Sequence, residues 1–582
     1  MDIFKFLTLI GGLCLFLFGM NVMGEALERR AGSSLKLILG KLTKNKMMGF
    51  LTGLAVTAII QSSSATTVMV VGFANSGLMT LRQSIGVIMG ANIGTTVTAW
   101  ILSLGGISGD NIVVQLLKPT SFTPVLALVG TILLMFGKTS KKKDTGTILL
   151  GFATLMFGME TMSGSVSGLA KIPAFCNLFI MFKNPIFGVL AGAVLTAVIQ
   201  SSSASVGILQ ALSVTGQVSY AAAVPIIMGQ NIGTCITTIL SSISTNKNAK
   251  RAAVVHLSFN VIGTIVWLSV FTLVSTLIKP AILNESASYV GIAIAHSMFN
   301  MACTVLLLPM SGLLERLAVK LVPDSDKKEK IAELDERLLM TPAVAIDRCN
   351  TLVCEMASLA VSSMNDSISM LEKYNPSVAE KIRKSEEKVD HYEDILGTYL
   401  VKLSGLQVSD SDSINASKLL KAIGDFERIS DHSVNILESA EELNEKDIKF
   451  TESARDELNV LCNAVSEILD LAYDSFRNNN VDTAKKVEPL EQVIDNLRSK
   501  MRNGHIRRLQ KGKCSIEAGF VWADLLTNLE RTADHCSNIA VCTIDAKEHN
   551  MNIHESMKTI KSESEFFGKL YKVYADKYCI GE

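Results

Sequence analysis

One polar phrase occurs twice in an otherwise apolar part of the sequence. The first copy reads Thr57-Ala-Ile-Ile-Gln61-Ser62-Ser63-Ser64-Ala65, and 139 residues later the second reads Thr196-Ala-Val-Ile-Gln200-Ser201-Ser202-Ser203-Ala204. A second phrase, Met89-Gly-Ala-Asn92-Ile-Gly-Thr95, returns at the same offset as Met228-Gly-Gln-Asn231-Ile-Gly-Thr234. Because the offset stays constant, we interpret this part of the chain as an internal duplication.

The charges divide the chain into two parts. Residues 1–312 contain 19 Lys and Arg and 7 Asp and Glu, whereas residues 313–582 contain 36 and 48. An apolar, basic part followed by an acidic, highly charged part indicates a membrane domain followed by a cytoplasmic domain. We therefore predict an all-α protein of the cytoplasmic membrane, with a membrane domain at 1–312, a linker at 313–340 and a helical cytoplasmic domain at 341–582. The two membrane repeats cover about 1–137 and 143–312.

Apolar runs of the length that a bilayer requires indicate the membrane spans. They lie at about 4–23, 83–103, 119–137, 146–169, 220–244, 253–279 and 287–310. The apolar segments 48–79 and 185–216 are interrupted by the Gln-Ser-Ser-Ser phrases. We interpret them as hairpins that enter and leave on one side, since polar backbone at that depth is tolerated only inside protein or beside a cavity. The alternative is that both segments cross the membrane.

The basic residues orient this arrangement. The loop that contains Arg29 and Arg30 is expected on the cytoplasmic side, as are Lys141–Lys143 and Lys250–Arg251. Three crossings then separate the two copies, and an odd number inverts the second copy. Inverted repeats whose polar segments meet near the bilayer midplane are typical of secondary transporters.

The repeated phrases indicate a site for small ions. Three consecutive serines are unfavourable in a helix interior, so a break is expected there, with backbone N–H groups exposed at a helix N-terminus. Such a terminus suits an anion, and hydroxyl and amide oxygens suit a hard cation such as sodium. The candidate substrate- and sodium-binding residues are Thr57, Gln61, Ser62, Ser63, Ser64, Asn92, Thr95, Thr196, Gln200, Ser201, Ser202, Ser203, Asn231 and Thr234.

The charged residues of the membrane part bear on the identity of the coupling ion. No Lys or Arg lies within the central apolar stretches, so neutral donors and bound cations are expected to hold an anion. Glu160, His256 and His296 keep proton coupling open, because proton carriers commonly use an intramembrane carboxylate or histidine. The oxygen-rich pattern favours sodium.

Residues 1–312 resemble the sodium/phosphate cotransporter family. The resemblance rests on the Gln-Ser-Ser-Ser-Ala phrases, the two Asn-Ile-Gly-Thr phrases and the element His256-Leu-Ser-Phe-Asn260, which recurs from His296. It implies sodium-coupled transport of inorganic phosphate, with Gln61–Ser64 and Gln200–Ser203 near the substrate and sodium sites.

The second part of the chain also contains a repeat. Glu427-Arg-Ile-Ser-Asp431-His-Ser-Val-Asn-Ile returns as Glu530-Arg-Thr-Ala-Asp534-His-Cys-Ser-Asn-Ile, and one helix earlier each copy has another Glu-x-x-x-Asp. Carboxylates at i and i+4 share a helix face and repel each other unless a cation neutralises them. A metal or the neighbouring Arg428 and Arg531 can do so. The candidate metal ligands are Glu386, Asp390, Glu427, Asp431, Glu491, Asp495, Glu530 and Asp534.

These paired phrases resemble the PhoU phosphate-regulatory domain. The resemblance implies two three-helix bundles whose acidic faces bind iron, zinc or similar ions, a link between transport and intracellular phosphate, and phosphate-signalling proteins as partners.

The sequence is also compatible with other functions. A phosphate exporter, a carrier of another oxyanion and a membrane-anchored phosphate sensor fit the same residues. An enzyme is not expected, because no P-loop, nucleophile elbow or His-Glu-x-x-His helix is present and no general base accompanies the serines. Inorganic phosphate and membrane lipid are the expected partners and nucleic acid is not, while a homo-oligomer stays open.

Overall fold

The computed structural model is helical and separates into two compact units, Met1–Val344 and Ala345–Glu582. The residues it describes are 3–40, 46–107, 111–166, 177, 180–243, 245–323, 334–406, 408–548 and 564–580. Within these ranges the extended pairing is limited to an isolated bridge between Ser219 and Ser286. The all-α prediction is confirmed.

The first unit consists of long helices and two pairs of short ones. Its helices are α1 (Ile3–Gly40), α2 (Lys46–Ile60), α3 (Ser63–Asn75), α4 (Leu81–Ser103), α5 (Ile112–Leu117), α6 (Pro119–Phe136), α7 (Ser140–Val166), α8 (Pro185–Ile199), α9 (Ser202–Ser213), α10 (Tyr220–Ser242), α11 (Lys247–Leu277), α12 (Tyr289–Leu307) and α13 (Ser311–Leu321).

Six of these helices are long and apolar enough to cross a membrane. They are the helices at Ile3–Ala31, Leu81–Gly106, Pro119–Phe136, Tyr220–Ser242, Lys247–Leu277 and Tyr289–Leu307. The further span predicted at 146–169 corresponds to α7, which packs along α1. The first unit is therefore that of a multi-pass membrane protein.

The four short helices form the two predicted hairpins, α2–α3 and α8–α9. They contain 15, 13, 15 and 12 residues. At 1.5 Å per residue each is about 18–22 Å long, which is too short for a hydrocarbon core of about 30 Å. The Gln-Ser phrases therefore lie at the tips of the hairpins.

The open ends of the two hairpins lie at opposite ends of α11. In the first hairpin, the Asn75 side chain accepts a hydrogen bond from the backbone N–H of Asn246, which caps the start of α11, at 2.8 Å. Beyond the second hairpin, Val218 accepts a backbone hydrogen bond from Ala287 at 2.7 Å, past the end of α11. With 31 residues, α11 is about 46 Å long, enough to cross a bilayer core.

Each hairpin packs against the helix that follows it through a pair of glycines. A methyl group at Gly53 would collide with the Val87 carbonyl oxygen, and one at Gly192 would collide with the Ile226 carbonyl oxygen. Gly90 and Gly229, on the helices that follow the hairpins, allow an equally close approach to the hairpins. Small residues allow such close packing of membrane helices. The duplication in the sequence thus corresponds to the same helix crossing in both halves.

The predicted linker, 313–340, contains structure at both ends. Residues up to Leu321 belong to α13, and Glu336–Met340 form a 3-10 helix that packs against α3. Leu338 is fully buried there, because it fills the space beside Gly72 of α3. We name residues 335–340 the junction segment, since it directly precedes the second unit and belongs to the first.

The second unit contains two groups of long helices. They are α14 (Pro342–Met370), α15 (Pro376–Ser404), α16 (Asp410–Glu445), α17 (Glu452–Asn478), α18 (Val481–Ala484), α19 (Val487–Gln510), α20 (Ile516–Glu548) and α21 (Ser564–Lys577). The central helices α16 and α20 carry the paired sequence phrases and pack against each other. The rings of His432 and His535, one from each, lie 5.7 Å apart. The two copies of the repeated phrase thus lie on adjacent helices.

Candidate functional site

The backbone takes the same unusual conformation at the tip of both hairpins. Gln61 and Gln200 have φ values of 62° and 60°, in the left-handed region that non-glycine residues rarely adopt. The next residue caps the second helix of each hairpin: the Ser62 hydroxyl accepts from the Ala65 N–H at 3.2 Å and that of Ser201 from the Ala204 N–H at 3.2 Å. Serine is a favourable N-cap, so each phrase encodes a sharp stop and an immediate new start.

The two tips meet around one cavity of about 380 Å³. At roughly 30 Å³ for each water molecule, it has room for a small anion together with several ions or waters. The eight phrase residues Gln61–Ser64 and Gln200–Ser203 all line it. The sequence predicted that these residues form one site, and the structure brings them together.

The other six candidate residues are not among those that line the cavity. The Thr57 hydroxyl donates to the Thr66 hydroxyl at 2.9 Å. The Asn231 amide donates to the Ile227 carbonyl at 2.8 Å. All six residues are buried and are absent from the described cavity wall: Thr57, Asn92, Thr95, Thr196, Asn231 and Thr234.

One side of the cavity comes from residues that the sequence interpretation did not include. Asn21, Glu25 and Glu28 line it from α1, and Met340 lines it from the junction segment. The spacing i, i+4, i+7 places the three polar side chains on one face of α1. That periodicity was visible in the sequence, but the contribution of Met340 was not, because it depends on how a distant segment packs.

The three candidate groups for proton coupling lie elsewhere. Glu160 is exposed on α7. His256 is fully buried and its Nδ1 atom lies 3.0 Å from the Thr238 hydroxyl, while His296 is buried within α12. Asn260 and Asn300 donate to the carbonyl oxygens of these two histidines one turn earlier, at 3.1 and 3.0 Å. These histidines therefore lie in the packed interior of the first unit.

In the second unit, one acidic group has the geometry of a metal site. Oxygen atoms of Glu386, Asp390 and Asp431 lie within 4.8 Å of one another. Burial and the neighbouring Asp431 raise the pKa of both Glu386 and Asp390, and burial together with Asp431 raises the pKa of Glu427 to about 7. Such mutual repulsion is what a bound cation would relieve, and carboxylate oxygens suit a hard divalent or iron cation.

Each acidic group has an arginine on its own helix, and Arg428 lies 3.3 Å from Asp431 in the first. The second group differs because a further arginine, Arg498, enters it from another helix. Arg498 lies 3.1 Å from a carboxylate oxygen of Glu530 and 3.9 Å from one of Asp495. Arg531 lies 3.9 Å from Asp534. At the position of Arg498, three residues after the Asp of the first motif, the first copy has Glu393. The two copies are therefore equivalent in fold and different in charge.

Both parts of the chain match known protein families. The Na+/Pi-cotransporter family matches residues 15–164 and 174–303, and the PhoU domain matches 353–440 and 458–543. A candidate inorganic phosphate export protein, YjbB, of Salmonella typhimurium is 23% identical over 554 residues, which cover 94% of this chain and 98% of that protein. The uncharacterised protein YqeW of Bacillus subtilis is 30% identical over 311 residues, covering 53% of this chain and 95% of YqeW.

The solved structure of PhoU from Pseudomonas aeruginosa matches 35% of this chain and 97% of its own, with 20% identity and a TM-score of 0.34. The family profiles confirm the resemblance inferred from the sequence in both halves. The chain belongs to the Na+/Pi-cotransporter family, a family of phosphate transport proteins, and carries two PhoU domains after its membrane helices.

Proposed function

We propose that this protein moves inorganic phosphate across the cytoplasmic membrane together with sodium ions, and that its PhoU domains adjust this transport. The observation that carries the proposal is the single cavity lined by both Gln-Ser-Ser-Ser phrases. Two helices, α3 and α9, begin at this cavity, with capping serines at their N-termini. The partial positive charge of helix N-termini and the serine hydroxyls favour an oxyanion there.

Coupling to cations follows from the charges around the cavity. The charged side chains among its described lining residues are Glu25 and Glu28, both acidic. A phosphate anion beside them would be repelled, by about 4 kcal/mol for each pair of unit charges 4 Å apart at an effective dielectric constant near 20. Bound sodium ions would remove this repulsion, and the family description names sodium.

The opposed hairpins support alternating access. The openings of α2–α3 and α8–α9 lie at opposite ends of α11. An inverted repeat allows the tips to stay at one depth while one half rocks against the other, so that the cavity opens to either side. The junction segment leads into the PhoU domains, and Met340 of this segment lines the cavity, which favours access from the cytoplasm in this conformation.

Export is the second candidate for the direction of transport. It is favoured by the Salmonella relative, which has the same two-part organisation along nearly its full length and is named as a candidate phosphate exporter. The same cavity would load phosphate from the cytoplasm and release it outside. If phosphate transport is tightly coupled to sodium, the sodium gradient sets its net direction. If the coupling is weak, the sodium gradient does not set it.

Radiolabelled phosphate flux in proteoliposomes tests the proposal. The full chain is reconstituted with sodium inside, outside, on both sides or replaced by choline. The expected result is flux that depends on sodium and is lost in a Gln61→Gly, Gln200→Gly double variant, while the exposed Glu160→Gln control retains it. Flux that is equal with sodium and choline would reject sodium coupling, and the absence of phosphate flux would reject phosphate as the substrate.

The junction segment supports regulation by the PhoU domains. Asn75 at the end of α3 donates to the Asp335 carboxylate at 2.6 Å. Arg337 donates to the Ser241 carbonyl at the end of α10 at 2.7 Å and pairs with Asp335 at 2.9 Å. The segment thus ties the end of α3, in the first repeat, to the end of α10, in the second. A conformational change in the domain that follows would pull directly on this connection.

The residues of the first acidic group fit a metal ion in the regulatory domain. Glu386 and Asp390 on α15 and Asp431 on α16 would hold it. The ion would join the two helices and replace the mutual repulsion of their carboxylates by attraction. Its binding would therefore favour one arrangement of the first bundle, which is the physical basis for a regulatory signal.

A further inference from the structure

We infer that Glu28 holds the coupling sodium ion in the transport cavity. This inference rests on the proposed function and adds to it a residue outside both repeated phrases. Glu28 lies on α1, faces the cavity together with Gln61–Ser64, and contributes a carboxylate to a site whose other ligands are neutral oxygens.

The carboxylate of Glu28 is incompletely paired. Its Oε1 atom is buried and has no hydrogen-bond partner among the residues that the structure describes. An unpaired buried carboxylate oxygen is costly, because its lost hydration is not replaced. A cation at this position would supply the missing interaction.

The neighbouring charged groups are engaged elsewhere. The Arg29 side chain is directed to Asp144 of α7, with its Nε atom 3.1 Å from the carboxylate. Glu25 accepts a hydrogen bond from the Asn21 amide at 2.7 Å. Glu25 and Arg29 thus have partners of their own, and neither is hydrogen-bonded to Glu28 among the described residues.

The oxygen-rich wall of the cavity suits a hard cation such as sodium. Oxygen is the preferred ligand of such ions, and the residues of the wall include Ser62, Ser63 and Ser64 with their hydroxyls and Glu28 with its carboxylate. One carboxylate and one sodium ion are together neutral, so phosphate can enter beside them without the repulsion that an ionised Glu28 alone would cause. Binding of sodium before phosphate would explain how an acidic residue can line a cavity that holds an anion.

The test measures sodium binding separately from transport. The thermal midpoint of the full chain in detergent is recorded against sodium concentration, with choline keeping the ionic strength constant. Stabilisation by sodium gives an apparent sodium affinity. For Glu28→Gln we expect this affinity to fall by about tenfold or more, which corresponds to at least one interaction of about 1.4 kcal/mol. Glu28→Asp, which keeps the charge, should lie between Glu28→Gln and the natural chain.

Two controls keep the outcome interpretable. Glu160→Gln removes an exposed carboxylate from α7 and should leave the sodium affinity unchanged. The thermal midpoint of Glu28→Gln in choline alone shows whether this variant folds. If it does not fold, the sodium affinity of Glu28→Asp is compared with that of the natural chain instead. Because binding is measured without phosphate, a failure of phosphate transport in the natural chain leaves this result standing.

The following results would overturn the inference. One is an unchanged sodium affinity in Glu28→Gln. Another is a natural chain that sodium does not stabilise while phosphate flux depends on pH, with this dependence lost in Glu28→Gln, since Glu28 would then carry a proton instead.

Discussion

The hydroxyl of Ser64 lies 3.5 Å from the carbonyl oxygen of Gln200, so the tip of the first hairpin touches the tip of the second. That carbonyl belongs to Gln200, the residue with left-handed backbone in the second hairpin. The two phrases consequently form one site rather than two independent ones. Substitutions in the two tips should therefore be non-additive, as expected for residues in contact.

The left-handed conformation of the tip glutamines gives a prediction that separates side-chain from backbone effects. Gln61→Gly removes the amide but suits the observed φ of 62°, whereas Gln61→Ala removes the same amide and keeps the strain. We expect both variants to lose most sodium-dependent phosphate flux. The glycine variant should be the more stable of the two by about 1 kcal/mol, measured as the thermal midpoint of the full chain.

The corresponding pair at Gln200, with a φ of 60°, provides the matched comparison. The same order of stability is expected there. Variants at either tip that retained full flux would mean that the glutamine amides only shape the backbone and do not contact the transported ions.

The junction segment gives a prediction about restraint of the cavity. Arg337→Ala removes the hydrogen bond to the Ser241 carbonyl and the ion pair with Asp335. If the segment restrains the movement of α3 against α10, the initial rate of phosphate flux should rise, by up to about a hundredfold, since a hydrogen bond to a charged group contributes about 1.5–3 kcal/mol. Lys320→Ala, which removes an exposed cation from α13, should leave the rate unchanged. A lower rate at an unchanged thermal midpoint would instead make the segment a support that transport requires.

Much of the architecture followed from the sequence because it is encoded locally. Apolar length predicted the spans, and serines that disfavour a helix interior predicted the breaks after Ile60 and Ile199. The constant offset between the copies predicted that both breaks have the same geometry, which the backbone at Gln61 and Gln200 shows.

What the sequence did not reveal depends on packing between distant segments. Met340 reaches the cavity only because Leu338 is buried against α3. Glu28 gives no such signal in the sequence, because it stands near basic residues at the end of an apolar run, as many solvated charges do. The difference between the acidic groups depends on a single position, Arg498, whose side chain reaches Glu530 on another helix.

That arginine yields a prediction about metal binding in the PhoU domains. The first acidic group brings three carboxylates within reach of one ion, whereas Arg498 already neutralises the second. We expect the full chain to bind one Mn²⁺, used here as a probe that prefers oxygen ligands, and Asp431→Asn to bind none. Electron paramagnetic resonance of the free ion measures the number bound.

Replacing the arginine should change that number. Arg498→Glu copies the residue that the first repeat has at the same position, Glu393, and should create a second site, so that two ions bind. Arg502→Glu adds the same negative charge at an exposed position of α19 and should leave the number at one. Two ions bound by the natural chain would show that Arg498 moves aside.

Lys418 on α16 gives a prediction about pH and stability. Its ammonium group is buried, donates to the Asn479 side chain at 2.9 Å and lies 4.6 Å from the centre of the Phe476 ring. Burial lowers its pKa from 10.5 to about 8. Below pH 8 both the folded and unfolded chains carry the proton, and the folded state bears the cost of the buried charge. Between about pH 8 and 10.5 the folded state releases the proton first, so its stability rises with pH.

Lys418→Met removes that charge and should stabilise the second unit at pH 7 by about 1–2 kcal/mol, once the lost hydrogen bond is subtracted from the relieved burial of charge. The difference from the natural chain should shrink toward pH 10, where the natural lysine is largely neutral in the folded state. Hydrogen exchange of α16 and α17 in the full chain, compared between variant and natural chain at each pH, measures the local free energy of opening. Lys421→Met, at an exposed position of the same helix, should show no such pH-dependent difference, and an equal effect of Lys418→Met at pH 7 and 10 would contradict the assignment.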